Sequence, residues 1–206
     1  MSVWGAGASL ALRAGSYLRR RFASLPRLEI RCHEAPIIPC LLPEGGLGEG
    51  VVPQLVECED SFPVQNEGTL AMRCFCVDVH NHGWEGDAAN CLLGVILVGT
   101  AAVPVTTYCV PEASEFGTIP HKGKRRYIVC LVDSPSSEAV FCTWAFPRAS
   151  KPAYPSWQLR VPLGVPMRLL LTATADNALD ARCDAWLTIA KEQPHHVTVA
   201  KWHQYE

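Results

Sequence analysis

Charged residues are scarce in this chain of 206 residues, of which Asp, Glu, Lys and Arg together make up 18%. Soluble domains usually carry roughly 25%, so we expect part of the surface to be covered by partner proteins. The formal net charge of −2 excludes a surface that attracts phosphate as a whole. Any contact with nucleic acid must therefore be local.

The chain also lacks the features that mark secreted and membrane proteins. No secretory signal peptide precedes its ten cysteines, which stand singly along apolar stretches. Because free cysteine behaves as a small hydrophobic residue, this predicts reduced, buried thiols in a reducing compartment. The uncharged run that begins at Ala88 is broken by Pro104, and the part before the proline is too short to span a bilayer. We expect no membrane segment.

No pattern typical of a catalytic site is present. A Gly-x-Ser-x-Gly elbow is missing, and no cysteine stands beside an activating partner. The glycine run at residues 46–50 has no clear strand before it and no helix start after it, unlike a phosphate-binding loop. We therefore predict a chain that is not an enzyme and carries no cofactor.

Four residues with metal-ligand chemistry alternate along one predicted strand: Cys74, Cys76, His80 and His82. Alternation places all four on one face of the strand. An extended strand, however, holds the outermost pair about 26 Å apart, whereas zinc ligands lie within about 2.3 Å of the metal. We therefore predict no metal site and assign the cysteines to the core.

The amino terminus is strongly basic. The first 28 residues contain five arginines, and no acidic residue precedes Glu29, a composition typical of a mitochondrial transit peptide. The same segment also suits an ordinary helix whose arginines lie in its last turns, where they favour the helix dipole. Residues 1–30 are thus predicted as a basic amino-terminal helix or a presequence.

Residues 31–68 are predicted as a connector, because their prolines and glycines are too dense for long regular elements. The stretch from Thr69 to His80 is apolar on both alternating faces, which predicts a central strand covered on both sides. Asp87 is then placed to cap a helix over residues 88–103, which Pro104 ends. That helix has hardly any polar face, so we expect it to be buried.

The second half of the chain predicts further strands and a final helix. The predicted strands are residues 106–110, 126–132, 137–146, 158–161 and 167–172. Residues 175–192 predict a C-terminal helix with Leu179, Cys183, Trp186, Leu187 and Ala190 on one stripe. The order of elements favours an α/β fold of the layered α+β kind, a mixed sheet with one buried helix and one terminal helix.

Two stretches resemble a known family. CFCVDVHNHGWEGDAANCLLGVILVGTAAVPV and YIVCLVDSPSSEAVF are similar to core segments of the RNase PH-like ring subunits of the eukaryotic exosome, particularly the non-catalytic type. The resemblance covers roughly residues 69–145 and implies an RNase PH-like domain over residues 69–206. It also implies a place among other subunits of a hetero-oligomeric ring, in the nucleus and cytoplasm. The first 68 residues show no counterpart of the family's amino-terminal half.

The chain departs from the catalytic members of that family at one point. Where they hold phosphate with a Gly-Gly-Thr-Arg-type loop, this chain has Gly86-Asp87-Ala88-Ala89, and a carboxylate repels phosphate. A magnesium site made of Asp78, Glu85 and Asp87 is an alternative that nothing in the spacing supports. The resemblance therefore implies a structural subunit.

One basic cluster outside the amino terminus is placed in a loop before a strand: Lys122, Lys124, Arg125 and Arg126. We predict that these residues contact RNA phosphates, the alternative being a solvated loop. Tryptophans are candidates either for interface anchors or for core packing: Trp144, Trp157, Trp186 and Trp202.

Two hypotheses of function follow from the sequence. The first is a non-catalytic structural subunit of an RNA-processing exosome ring. The second is a structural component of a mitochondrial assembly such as the mitochondrial ribosome, located in the matrix, which the arginine-rich start favours. Both predict protein partners, a possible RNA contact and no membrane.

Overall fold

The structure is a computed structural model that describes residues 25–43, 46–47, 51–56, 69–83, 86–98, 105–108, 110–111, 117–145, 154–192 and 197–205. Within these ranges every regular element is a β-strand. The predicted helix or presequence over residues 1–30 lies outside them as far as residue 24. The strands are β1 (Leu28–Pro43), β2 (Gln54–Leu55), β3 (Thr69–Asn81), β4 (Ala88–Val98), β5 (Val105–Tyr108), β6 (Val110–Pro111), β7 (Gly117–Ile119), β8 (Lys124–Asp133), β9 (Glu138–Ala145), β10 (Tyr154–Pro162), β11 (Met167–Thr174), β12 (Ala181–Ile189) and β13 (Val197–Tyr205).

The strands form two antiparallel sheets. A seven-stranded sheet has the order β10-β9-β8-β3-β1-β2, with β6 paired to β8. A six-stranded sheet has the order β13-β12-β11-β4-β5, with β7 paired to β4. One hydrophobic core joins them, since Phe75 and Val77 of the first sheet belong to the same buried cluster as Leu93 and Leu169 of the second. The fold is therefore a β-sandwich.

The predicted layered α/β fold with a buried helix is wrong. The segment predicted as that helix is β4, whose side chains from Cys91 onward alternate between buried and partly exposed. The segment predicted as the terminal helix contains β12, which alternates in the same way. When a run is apolar on every side, its hydrophobic pattern cannot distinguish a helix from a strand. Here the segment is a strand because it packs between two sheets.

The prediction of a connector without long regular elements over residues 31–68 is also contradicted by the backbone. β1 is a strand of 16 residues that begins before residue 31 and continues to Pro43, so the expectation of no long regular element there is wrong. Its pairing with β3 shifts register between Cys32 and Ile37, the stretch that contains Pro36. Proline has no N–H for the ladder and is tolerated at such irregularities.

The outer side of the seven-stranded sheet has an apolar half with its own cover. Buried residues there include Cys74, Cys76 and Trp157. Leu47, Val51, Val52 and Leu55 pack against them from outside. Residues 46–56 thus shield this half of the sheet from water as far as they are described.

Asn81 fixes the end of the sandwich where the basic residues lie. Its side chain is fully buried, and its amide nitrogen donates to the carbonyls of Gly86 at 3.0 Å and Ile119 at 3.2 Å. Its carbonyl oxygen accepts from the N–H of Gly83 at 3.1 Å. A buried amide is stable only when it is satisfied in this way, so Asn81 ties three chain segments together.

Candidate nucleic-acid interface

The four predicted RNA-contact residues separate into different positions. Lys122 lies in the turn before β8 with a positive φ of 57° and is exposed. Lys124 and Arg126 lie on β8 and reach the outer side of the seven-stranded sheet, where both contact Asp78. Arg125 has its guanidinium beside Gly117 of β7, so strand alternation turns it away from the other two.

Asp78 is a buried carboxylate held between two cations. Its Oδ1 accepts a hydrogen bond of 2.9 Å from Arg126 Nε, and its Oδ2 lies 3.0 Å from Lys124 Nζ. The Asp78 side chain is 0% exposed, whereas those of Lys124 and Arg126 are 52% and 22% exposed. Solvent therefore meets the two cations and not the carboxylate beneath them.

A second set of ionic contacts lies beside the first, on β1 and the end of β3. Arg31 Nη2 is 2.7 Å from Glu29 Oε2, and His82 Nε2 contacts the same carboxylate oxygen. Burial raises the pKa of Glu29, but the hydrogen bond and charge of Arg31 and the charges of the two histidines outweigh it and lower that pKa overall. Glu29 is therefore held in its charged form.

The rings of His80 and His82 are stacked. Their centroids are 5.5 Å apart and their planes differ by 5°. Among the described residues, His80 Nε2 is buried without a hydrogen-bond partner. Burial lowers the pKa of His80, and the positive charge of Arg31 lowers it further, so the neutral ring is favoured.

Strand register aligns these residues in two rows across three strands. Arg31, Asp78 and Arg126 are consecutive cross-strand partners on β1, β3 and β8. Glu29, His80 and Lys124 form the adjacent row. The row between them is Ile30, Val79 and Arg125. Ile30 and Val79 are buried in the inter-sheet core, so both charged rows lie on the outer side of the sheet.

Three of the four potential metal ligands, Cys74, Cys76 and His80, lie on β3, and His82 follows directly after its end. Cys74 and Cys76 belong to the covered apolar half, with their sulfurs 3.6 Å apart. His80 and His82 lie beyond Asp78 on the open half, so the strand separates the two pairs. Among the described residues, no group of three or more His, Cys, Asp and Glu side chains is arranged to hold a metal ion.

Asp87 has a role other than the predicted helix cap. No helix begins at residue 88, and Asp87 Oδ1 instead accepts a hydrogen bond of 2.9 Å from the N–H of His121. The carboxylate therefore fixes the turn before β8. Of the alternative magnesium ligands, Asp78 is occupied by its two cations and Glu85 lies outside the described residues.

The outer side of the six-stranded sheet is different, because it carries partly exposed apolar residues among polar ones such as Thr172, Arg182 and Thr188. We define the open apolar face as Leu92, Ile96, Val98, Leu170 and Trp186, which alternate with buried residues on β4, β11 and β12. Leu92 is 41% and Trp186 38% exposed. Arg168 and Asp184 form an ion pair on this side of the sheet, with hydrogen bonds of 2.6 and 3.1 Å. The two charges of this pair neutralise each other.

Comparison of the chain with protein-family models, with curated protein sequences and with solved structures gives no significant match. The resemblance to RNase PH-like subunits therefore stays a sequence-based hypothesis. The fold that it implied is not the fold observed.

Sequence reasoning missed the contribution of β1 to the basic site. Glu29 and Arg31 were assigned to segments predicted to lack a strand, so nothing placed them beside Asp78 and His80. Their alternation with Leu28, Ile30 and Cys32 is a strand pattern that was there to be used. Of the tryptophans, Trp157 is a core residue and Trp186 is exposed, while the side chains of Trp144 and Trp202 lie outside those described.

Proposed function

We propose that this chain is a non-catalytic structural subunit of a larger assembly and that its open apolar face binds a neighbouring protein subunit. The observation that carries the proposal is the contrast between the two outer surfaces. The apolar half of the seven-stranded sheet is packed against residues 46–56 of the same chain. The open apolar face of the six-stranded sheet keeps Leu92 and Trp186 exposed.

Exposed apolar surface of this kind is typical of protein interfaces. Contiguous apolar patches on soluble proteins mark interaction sites, and tryptophan is enriched among the residues that dominate binding energy. Trp186 stands beside Arg168, which in turn pairs with Val98 across β11 and β4. The low charge content of the chain agrees with a surface that is partly covered in its working state.

The proposal is tested by affinity purification of the tagged full chain from its native source, with quantitative mass spectrometry. We expect a defined set of subunits in near-equal amounts. Leu92→Ser and Trp186→Ser should each lower their recovery by about tenfold or more, since a residue that dominates an interface contributes roughly 2 kcal/mol. Val165→Ser is the matched control, because Val165 is 40% exposed but lies in the turn before β11.

The outcome also decides between the two assemblies considered above. RNase PH-like and S1-domain subunits would identify an exosome ring, with the chain in the nucleus and cytoplasm. Mitochondrial ribosomal proteins would identify the matrix assembly. Recovery of no defined set of subunits, or equal recovery with the two face variants and the control, would contradict the proposed interface.

A further inference from the structure

The second surface of interest is the polar half of the seven-stranded sheet. We define the cationic face as Arg31, His80, His82, Lys122, Lys124 and Arg126, together with the carboxylates Glu29 and Asp78. It lies on the opposite sheet from the open apolar face. The two surfaces are therefore separate.

The charge of this face runs against that of the whole chain. Four cations stand against two carboxylates, which leaves an excess of positive charge before either histidine is protonated, whereas the chain carries a formal net charge of −2. The exposed groups are more positive than this balance suggests, because the Asp78 side chain is 0% exposed. A local field of this sign attracts phosphate.

The cations are also held in position. Asp78 binds Lys124 and Arg126 from below, and Glu29 binds Arg31 from the side. Neighbouring strands lie about 4.8 Å apart, so the two arginines of the row Arg31, Asp78 and Arg126 stand roughly two strand spacings apart. Side chains fixed in this way lose less conformational entropy on binding a ligand than free ones do.

Ring stacking adds a second kind of contact. His80 and His82 present parallel rings beside the cations, and the His82 side chain is 45% exposed. Unpaired bases stack on aromatic side chains, including histidine, when single-stranded RNA lies across a sheet. In a duplex the bases are stacked on one another, so they are not free to stack on the histidine rings.

We propose that the cationic face binds single-stranded RNA, the cations of its two rows contacting phosphates and the histidine pair stacking against bases. This extends the RNA contact predicted at residues 122–126 in two ways. It adds Arg31, His80 and His82 as contact residues. It removes Arg125, whose guanidinium lies beside Gly117.

Protonation of His80 is coupled to this binding. Burial has the largest effect and lowers the pKa of His80, and Arg31 and His82 lower it further. The negative charges of Asp78 and Glu29 raise it. On β8, Lys124 is the cross-strand partner of His80 and Arg126 that of Asp78, so both positive charges also lie on the side of the sheet that carries the His80 ring. A bound phosphate offsets the positive field and favours the charged ring, so affinity should rise as the pH falls below about 6.5, the ordinary pKa of histidine.

The test is fluorescence anisotropy with the full chain and a labelled oligouridylate of about twelve nucleotides, within the range of known single-strand sites. Arg31→Gln should weaken binding roughly fivefold at 0.1 M salt and reduce the slope of log K against log salt by about 0.7. Glu29→Gln should strengthen binding, since it removes a partly exposed negative charge while the amide oxygen still accepts a hydrogen bond from Arg31. His82→Ala should weaken binding while leaving the salt slope unchanged.

Arg160→Gln is the matched control. Arg160 pairs with Glu138 on the same sheet, and its side chain is 46% exposed, close to the 50% of Arg31. If Lys122→Gln lost RNA binding but Arg31→Gln and His82→Ala kept it, RNA would contact only the turn before β8. That result would overturn the proposal that the cationic face binds RNA. Equal affinity for duplex RNA would overturn the stacking role, and no binding to RNA at all would overturn the inference while leaving the protein interface unaffected.

Discussion

Trp157 and Val51 are joined by a hydrogen bond of 2.9 Å, from the indole Nε1 to the backbone carbonyl, across 106 positions of the chain. Trp157 lies on β10, and Val51 belongs to the segment that covers the apolar half of the seven-stranded sheet. The indole ring packs in the covered cluster while its N–H reaches the cover. One side chain thus connects the outermost strand, the buried cysteines and the segment above them.

Replacing this indole should loosen the cover. Trp157→Phe removes the donor and part of the packing, and we expect the free energy of unfolding to fall by about 1–3 kcal/mol. Urea denaturation followed by circular dichroism measures the change. Trp186→Phe, at an exposed position, should cost no more than about 0.5 kcal/mol, and equal losses at the two sites would contradict the role of the hydrogen bond.

Neighbouring leucines on β4 should differ sharply in their contribution to stability. Leu93 is buried between the sheets and Leu92 is 41% exposed. We expect Leu93→Ala to cost about 2–5 kcal/mol and Leu92→Ala about 1 kcal/mol or less. Thermal or urea unfolding of the two variants is the measurement. Similar costs would favour the buried helix that the sequence predicted over the observed strand.

Asn81→Ala should destabilise the end of the sandwich. It leaves the carbonyls of Gly86 and Ile119 and the N–H of Gly83 without the partners they have now, at a cost of about 2–4 kcal/mol. Asn177→Ala is the comparison, because Asn177 makes two hydrogen bonds at an exposed site and should cost about 1 kcal/mol or less. A smaller loss for Asn81 than for Asn177 would show that the network is not what holds these segments.

Acidification should reduce stability in two ranges. The pKa of His80 is lowered from 6.5 in the folded chain, so the unfolded chain takes up the proton first as the pH falls through 6.5 and stability declines from there downward. The pKa of Glu29 is lowered from 4.5, so its contribution is present above that value and is lost below it. The measurement is urea denaturation at several pH values between about 8 and about 4. In His80→Gln the free energy of unfolding should fall less in the upper of the two ranges.

Buried thiols should react slowly with alkylating reagents in the folded chain. Burial raises the pKa of Cys142 to about 12, and hydrogen bonds with Cys40 and Cys76, followed by burial, raise the pKa of Cys74. Because only the thiolate reacts, iodoacetamide near pH 8 should label both far more slowly in the folded chain than in urea, as residue-resolved mass spectrometry would show. Rapid labelling of native Cys74 would mean that the cover opens readily.

The sequence predicted about half of the strands that the structure describes, and it failed for β4 and β12, where hydrophobicity had no single period. Predicted strands at residues 69–80, 126–132 and 167–172 lie within β3, β8 and β11. In β12 the alternation of Ala181, Cys183 and Ala185 was legible, but small residues also favour helices, and a helical stripe through Trp186 competed with it. For β4 both faces are apolar, so only the pairing with β11 settles its conformation.

The candidate site was half predictable, because its residues come from three strands. The basic cluster at residues 122–126 was visible as a run in the sequence. Its orientation was not, since the position of Arg125 relative to Lys124 and Arg126 depends on which side of β8 faces the core. Arg31 and Asp78 are 47 positions apart in the sequence and become neighbours only through the β1–β3 register.

The inter-sheet core has a consequence for anything that binds on both sides of the sandwich. Facing sheets pack about 10 Å apart, and here the gap is filled by side chains such as Phe75 and Leu169. A protein on the open apolar face and an RNA strand on the cationic face would be kept apart by a spacer of constant length. Residues that touch neither partner would then decide how close the two approach each other.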